Sequence, residues 1–236
     1  MILPARTLRT TLGQFGAFLR RPQLLAPQGL LAQGSGRTWL WLTALLIAVL
    51  FALVLPFIRL WQGMFDLADP VAFEAVPQRW LMPIVVLFAP LSEELLFRGW
   101  QSGTRAALCL LGCAVLVIVA MMQVIVPGRE MIALGLLAAA VLGGVAGWFV
   151  LRRNRAPLGW FARGFPVIFY LMAALFAVVH LANYGRFSLL ALPLVLPQLW
   201  AGLVLGYVRQ RIGLAGAIAS HAASNGLVVA LALVSG

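Results

Sequence analysis

Seven apolar runs dominate the chain, at roughly residues 38–58, 80–103, 106–126, 131–151, 165–185, 187–208 and 213–234. Each approaches the ~20 mostly apolar residues that a helix needs to cross a bilayer. Within hydrocarbon the backbone must satisfy its own hydrogen bonds, which helices do segment by segment. The expected fold is therefore all-α, a polytopic transmembrane helical bundle of about seven spans. Composition points the same way: 63% of the 236 residues are hydrophobic, 10% are charged, and the mean hydropathy is +1.02. A water-soluble domain is about half apolar and about a quarter charged. These values exclude a soluble enzyme, a disordered tail protein and a secreted disulfide scaffold.

A net charge of +11 invites a nucleic-acid reading, but the position of the charges argues against it. All 17 basic residues are arginines, and they fall in the gaps between apolar runs, as orientation signals do. With the N-terminus in the cytosol, thirteen arginines lie in inner segments and four in outer ones. The outer loop 59–79 also holds Asp66, Asp69 and Glu74. The N-terminus is expected inside and the C-terminus outside. An all-arginine, alanine-rich chain suggests a GC-rich bacterial genome, hence a multi-pass protein of the bacterial inner membrane with lipid as its surroundings.

Residues 1–37 form a basic cytosolic segment with no acid and no cleavable signal pattern. Leu8, Leu12, Phe15 and Leu19 recur there at helical spacing, as in a helix lying on the inner membrane surface; a disordered basic tail is the alternative. Residues 38–236 make one membrane domain. Cys109 and Cys113, four apart in an apolar run, read as small packing residues and not as a disulfide or a zinc site. Gly143 with Gly147, Gly202 with Gly206, and Gly216 with Ser220 are spaced for close helix approach. Pro83, Pro90, Pro193 and Pro197 lie inside spans and invite kinks.

Chemistry in such a chain is sought among polar groups placed where hydrocarbon should be. A carboxylate at mid-membrane costs ~2.5–3.5 kcal/mol even on the lenient insertion scale. Glu93 and Glu94 stand side by side in the second run. Arg98 follows Glu94 by four residues, on the same helix face, where an ion pair can form. Glu93 lies about 100° round the helix and faces elsewhere. The two histidines of the chain also fall within apolar runs: His180 one turn after Phe176, and His221 one turn before Asn225. Such groups turn inward in a bundle, where three helices can bring them together. By simple counting, His180 falls nearer the outer end of its span than Glu93 and His221 do.

These residues carry a resemblance. The stretch from Glu93 to Arg98 resembles the EExxxR motif of the CPBP intramembrane protease family, which includes the type II CAAX prenyl endopeptidases. Phe176 to His180 resembles its FxxxH motif, and His221 to Asn225 its HxxxN motif, in the same chain order. The match covers roughly residues 80–103 and 165–234. Arg98 and Phe176 are 78 positions apart, a longer gap than the family pattern, as though a helical hairpin had been inserted at about 104–152.

The resemblance implies an intramembrane endopeptidase acting on a membrane-associated or lipidated peptide or protein, with Glu93, Glu94, Arg98, His180, His221 and Asn225 as site residues. Glu93 is the expected base that activates water, His180 helps to hold that water, His221 and Asn225 stabilise the oxyanion, and Glu94 with Arg98 braces the helix. Family members are also described as metalloproteases, in which case Glu93, His180 and His221 would be the ligands of a zinc ion; metal-independent glutamate chemistry is favoured here. Two other classes fit the same polar groups, a proton-coupled carrier and a non-catalytic membrane scaffold. No inverted repeat of the carrier type is visible. The final residues Leu233–Gly236 do not form a prenylation box.

Overall fold

The computed structural model describes residues 7–71, 76–185 and 188–235; Arg6, Glu74, Arg186 and Gly236 lie outside them. The described residues form helices joined by turns and irregular segments and contain no strand, only an isolated bridge between Thr104 and Pro157. Seven helical segments are long and apolar enough to cross a membrane: Ser35–Phe65, Gln78–Arg98, Arg105–Val124, Glu130–Leu151, Gly159–Asn183, Leu189–Arg211 and Leu214–Leu231. The first spans 31 residues, ten more than the apolar run suggested. Helix α2 (Ser35–Val49) passes through a π-helical stretch, Leu50–Val54, into α3 (Leu55–Phe65) without breaking. Pro56, which has no N–H to donate, directly follows the π-helical stretch, in which the Leu55 N–H reaches back to the Leu50 carbonyl. Part of the presumed outer loop 59–79 is thus helix.

Two compact units divide the chain, residues 1–94 with 165–236, and residues 95–164. The second contains α6 (Arg105–Val124) and α7 (Glu130–Leu151). They form an antiparallel hairpin: Cys109 lies beside Gly147, and Cys113 beside Gly143 and Gly144. The glycines make room for the thiols, which are free and half-buried.

The first unit holds α1 (Leu8–Arg20), α2, α3, α4 (Gln78–Met82), the membrane half of α8 (Gly159–Val179), α9 (Leu196–Arg211) and α10 (Leu214–Ser235). Helix α1 is capped by the Thr7 hydroxyl, which accepts from the Thr10 N–H. It buries Thr11, Phe15 and Phe18, with Phe15 against Trp200 and Tyr207, and Phe18 against Phe169 and Tyr207. Leu8 and Leu12, from the predicted stripe, remain exposed. The following segment straps the end of α9: Gln28 and Gly29 donate to the carbonyls of Arg211 and Ile212, and Leu25 donates to the Gln210 side chain.

Helices α2 and α10 run side by side in the same direction. Trp39 Nε1 donates to the Gly216 carbonyl at 3.0 Å, and one turn along both helices the hydroxyls of Thr43 and Ser220 meet at 2.7 Å. The Gly202–Gly206 pair brings α9 onto α8. A Cβ at Gly202 would stand 3.0 Å from the Ala173 backbone, and one at Gly206 would stand 2.7 Å from the Phe169 ring. Backbone cannot yield as a side chain can, so Gly202→Val should destabilise by about 1–3 kcal/mol. The drop should show in a thermal-unfolding assay of detergent-solubilised protein, with Gly135→Val, at a position open to space, as the neutral control.

Candidate active site

The acidic residues reach the cavity through an irregular helix. Segment Pro83–Phe88 is π-helical, with the Ala89 N–H reaching back five residues to the Ile84 carbonyl. The next bond in that pattern would join residue 90 to Val85, but Pro90 has no N–H. The Val85 carbonyl is left over, and Asn225 Nδ2 donates to it at 3.0 Å. Two features of the sequence explain each other here: Pro90 vacates a carbonyl on one helix, and the last residue of HxxxN fills it from another. Asn225 keeps a second Nδ2–H, and its side chain lines the cavity.

Helix α5 (Ala89–Arg98) then carries Glu93 and Glu94 in different directions. Glu94 is fully buried, and its Oε1 lies 2.9 Å from His221 Nδ1. Glu93 keeps 27% of its side-chain surface exposed and faces both imidazoles, with Oε2 3.9 Å from His180 Nε2 and 3.8 Å from His221 Nε2. These gaps exceed a hydrogen bond and suit groups bridged by a small molecule such as water.

The orientation of each ring is fixed from behind. His180 ends α8 where the helix tightens into a 3₁₀ turn, His180–Asn183. Its Nδ1 lies 2.6 Å from the Phe176 carbonyl; a carbonyl only accepts, so Nδ1 carries the proton and Nε2 faces Glu93. The Phe176 ring packs edge-on against both imidazoles, with centroids 4.8 and 5.9 Å away. This explains an aromatic residue one turn before the histidine. His221 is held the same way, with Nδ1 toward Glu94 and Nε2 toward Glu93. The depth difference suggested by counting along the spans does not survive folding: α8 is long enough for its final turn to meet the middles of α5 and α10.

Glu93, Glu94, His180, His221 and Asn225 are therefore brought together within the first unit. Arg98 lies one turn beyond Glu94 on α5 and is buried. A cavity of about 470 Å³ opens onto the group, lined by Glu93, His180, His221 and Asn225 together with Ser224, Gln198, Tyr184 and Arg59. Sequence reasoning passed over these last four. It also counted Arg209 as an orientation signal, whereas the side chain is buried in α9 within electrostatic reach of Glu94. A charged residue at the end of a span reads as a flanking charge until its neighbours are known. Tyr184, just past the α8 span, has its hydroxyl pKa pushed up, first by burial and then by the Asp69 carboxylate.

Residues 75–227 match the family model described as type II CAAX prenyl endopeptidase Rce1-like. The chain belongs to that family. No curated protein and no solved structure gives a match. The match spans all three motifs, and membership makes the chain a multi-pass membrane protein of a peptide-hydrolase family.

Proposed function

We propose that this Rce1-like protein is an intramembrane endopeptidase in which Glu93 activates water against a peptide bond of a membrane-associated or lipidated substrate. The observation carrying this reading is the convergence of two ring-locked imidazoles on one partly exposed carboxylate at 3.8 and 3.9 Å. Water in that space donates one proton toward Glu93 while His180 Nε2 helps to fix it. The water oxygen adds to the scissile carbonyl carbon, and its proton passes to Glu93. The oxyanion takes hydrogen bonds from the second Nδ2–H of Asn225 and from His221, which Glu94 holds in place at Nδ1. Collapse breaks the C–N bond, and Glu93 returns the proton to the departing amine. Water and one peptide thus yield a carboxylic acid and an amine, and transfer of the acid's proton leaves them as carboxylate and ammonium.

A zinc ion held by Glu93, His180 and His221 would supply Lewis-acid activation of the same water. Tetrahedral zinc with bonds of about 2.0–2.2 Å draws its ligand atoms to roughly 3.3–3.5 Å from one another. Both nitrogen–carboxylate gaps are wider, and among the described residues no three His, Cys, Asp or Glu side chains are placed to hold a metal. These wider gaps favour a mechanism through protein groups alone, which we adopt as the proposal. Purified protein in lipid nanodiscs should cleave membrane-associated peptides, and cleavage should persist after exhaustive chelation with metal analysis in parallel. Loss of cleavage on chelation, restored by zinc, would overturn the glutamate-only mechanism.

Membership in a peptide-hydrolase family favours the peptidase reading over the carrier and scaffold readings.

A further inference from the structure

Within the first unit the cavity lining is buried at one end and exposed at the other, and the two ends differ in charge. Below the imidazoles α2 and α10 are stitched by the Thr43–Ser220 and Trp39–Gly216 hydrogen bonds. Below these, α1 and the segment around Gln28 cover the end of α9. Leu46 and Leu205, on the cavity wall nearest that end, are buried.

The exposed members of the lining lie elsewhere. Arg59, Asp69 and Pro70 are exposed where α3 ends and its loop begins, and Val228 is exposed in the later half of α10. Helices α2–α3 and α10 run in the same direction, so all four belong to the end opposite α1. Asn183 and Tyr184, which follow the His180 turn, line the cavity at the same end. The loop is tied there, with the Val71 N–H donating to the Asn183 carbonyl at 2.9 Å.

Charge assigns the ends to sides of the membrane. Among the described residues of this unit, Arg9, Arg20, Arg21, Arg37 and Arg211 flank the buried end with no acid among them. Arg59 and Arg79 flank the exposed end, and Asp66 and Asp69 stand beside them. Arginine accumulates on the cytosolic side of membrane helices. The buried end is the cytosolic one.

We propose that the cavity is loaded from the extracytoplasmic face, so that the substrates are peptide segments exposed on, or exported to, that side. The polar part of such a segment enters past Arg59 and Asp69, and an apolar or lipidated part lies against the exposed Val228. A cytosolic protein tail meets the buried end and has no path to Glu93. This inference rests on the peptidase reading for the identity of the substrate, but not for the side of entry.

Sided thiol labelling tests it without reference to catalysis. In a background carrying Cys109→Ala and Cys113→Ala, Ser224→Cys places a thiol of nearly the same shape on the cavity wall, and Arg20→Cys places one on α1. A small, charged, membrane-impermeant methanethiosulfonate is added to sealed spheroplasts and, separately, to inside-out vesicles. Ser224→Cys should react in spheroplasts several-fold faster than in inside-out vesicles, and Arg20→Cys should show the reverse. Reaction of Ser224→Cys from the cytosolic side, or from neither side, would overturn the proposal. Labelled as expected but without any peptide cleavage by unmodified protein, the cavity keeps its sidedness and only the peptidase reading falls.

Discussion

Glu93→Gln should leave a folded protein that cleaves peptide about 10²–10⁴-fold more slowly, the range removed with a general base. The amide has nearly the shape of the carboxylate and keeps one acceptor oxygen, but it cannot take a proton from water. Because Glu93 is partly exposed and reaches the imidazoles only across gaps of 3.8 and 3.9 Å, little packing depends on its charge. The loss should therefore fall on kcat with KM nearly unchanged, the signature of an interaction made only in the transition state. Single-turnover cleavage of a membrane peptide, with thermal unfolding measured alongside, separates the two. Wild-type rates in this variant would remove Glu93 from the mechanism.

Its neighbour should behave in the opposite way. Glu94 is fully buried, sits 2.9 Å from His221 Nδ1 and lies within electrostatic reach of the buried Arg209. Removing one partner of a buried charge arrangement costs about 3–5 kcal/mol, because the remaining charge is stranded. Glu94→Ala should thus lower the unfolding temperature steeply and abolish cleavage together with the fold. Glu94→Gln still offers His221 an acceptor and should retain most of the structure. It loses the carboxylate that orients His221 through Nδ1, and cleavage should fall about 10²-fold or more, as when the orienting carboxylate of a catalytic histidine becomes an amide. Adjacent residues in sequence thus separate into one variant that fails in rate and one that fails in stability. A Glu94→Ala protein as stable as wild type would contradict the buried arrangement.

The sequence was most informative where spacing along a helix determines which groups share a face. The four-residue steps from Phe176 to His180 and from His221 to Asn225 each place a ring or an amide on the face of its histidine, and both pairs work in that way. Seven apolar runs likewise became seven helices. What spacing could not convey was depth and the neighbours across helices. His180 counts as peripheral along its own span, yet it reaches the centre because α8 is long and ends in a 3₁₀ turn. Arg209 looked like a flanking charge because nothing within its own helix shows that Glu94 approaches from α5. The partnership of Asn225 with Val85 joins residues 140 positions apart, and it depends on a π-helical register that apolar periodicity does not signal.

That register has a consequence for how the second span can vary in length. A π turn holds one residue more than the α-helical path would, so the stretch from Pro83 to Phe88 sets the rotation of everything after it. Shortening the stretch by one residue would restore regular winding and swing the carboxylates by about 100°, aiming Glu93 away from both rings while every motif letter stayed in place. The chain can therefore lose its reactive geometry without losing a single polar residue.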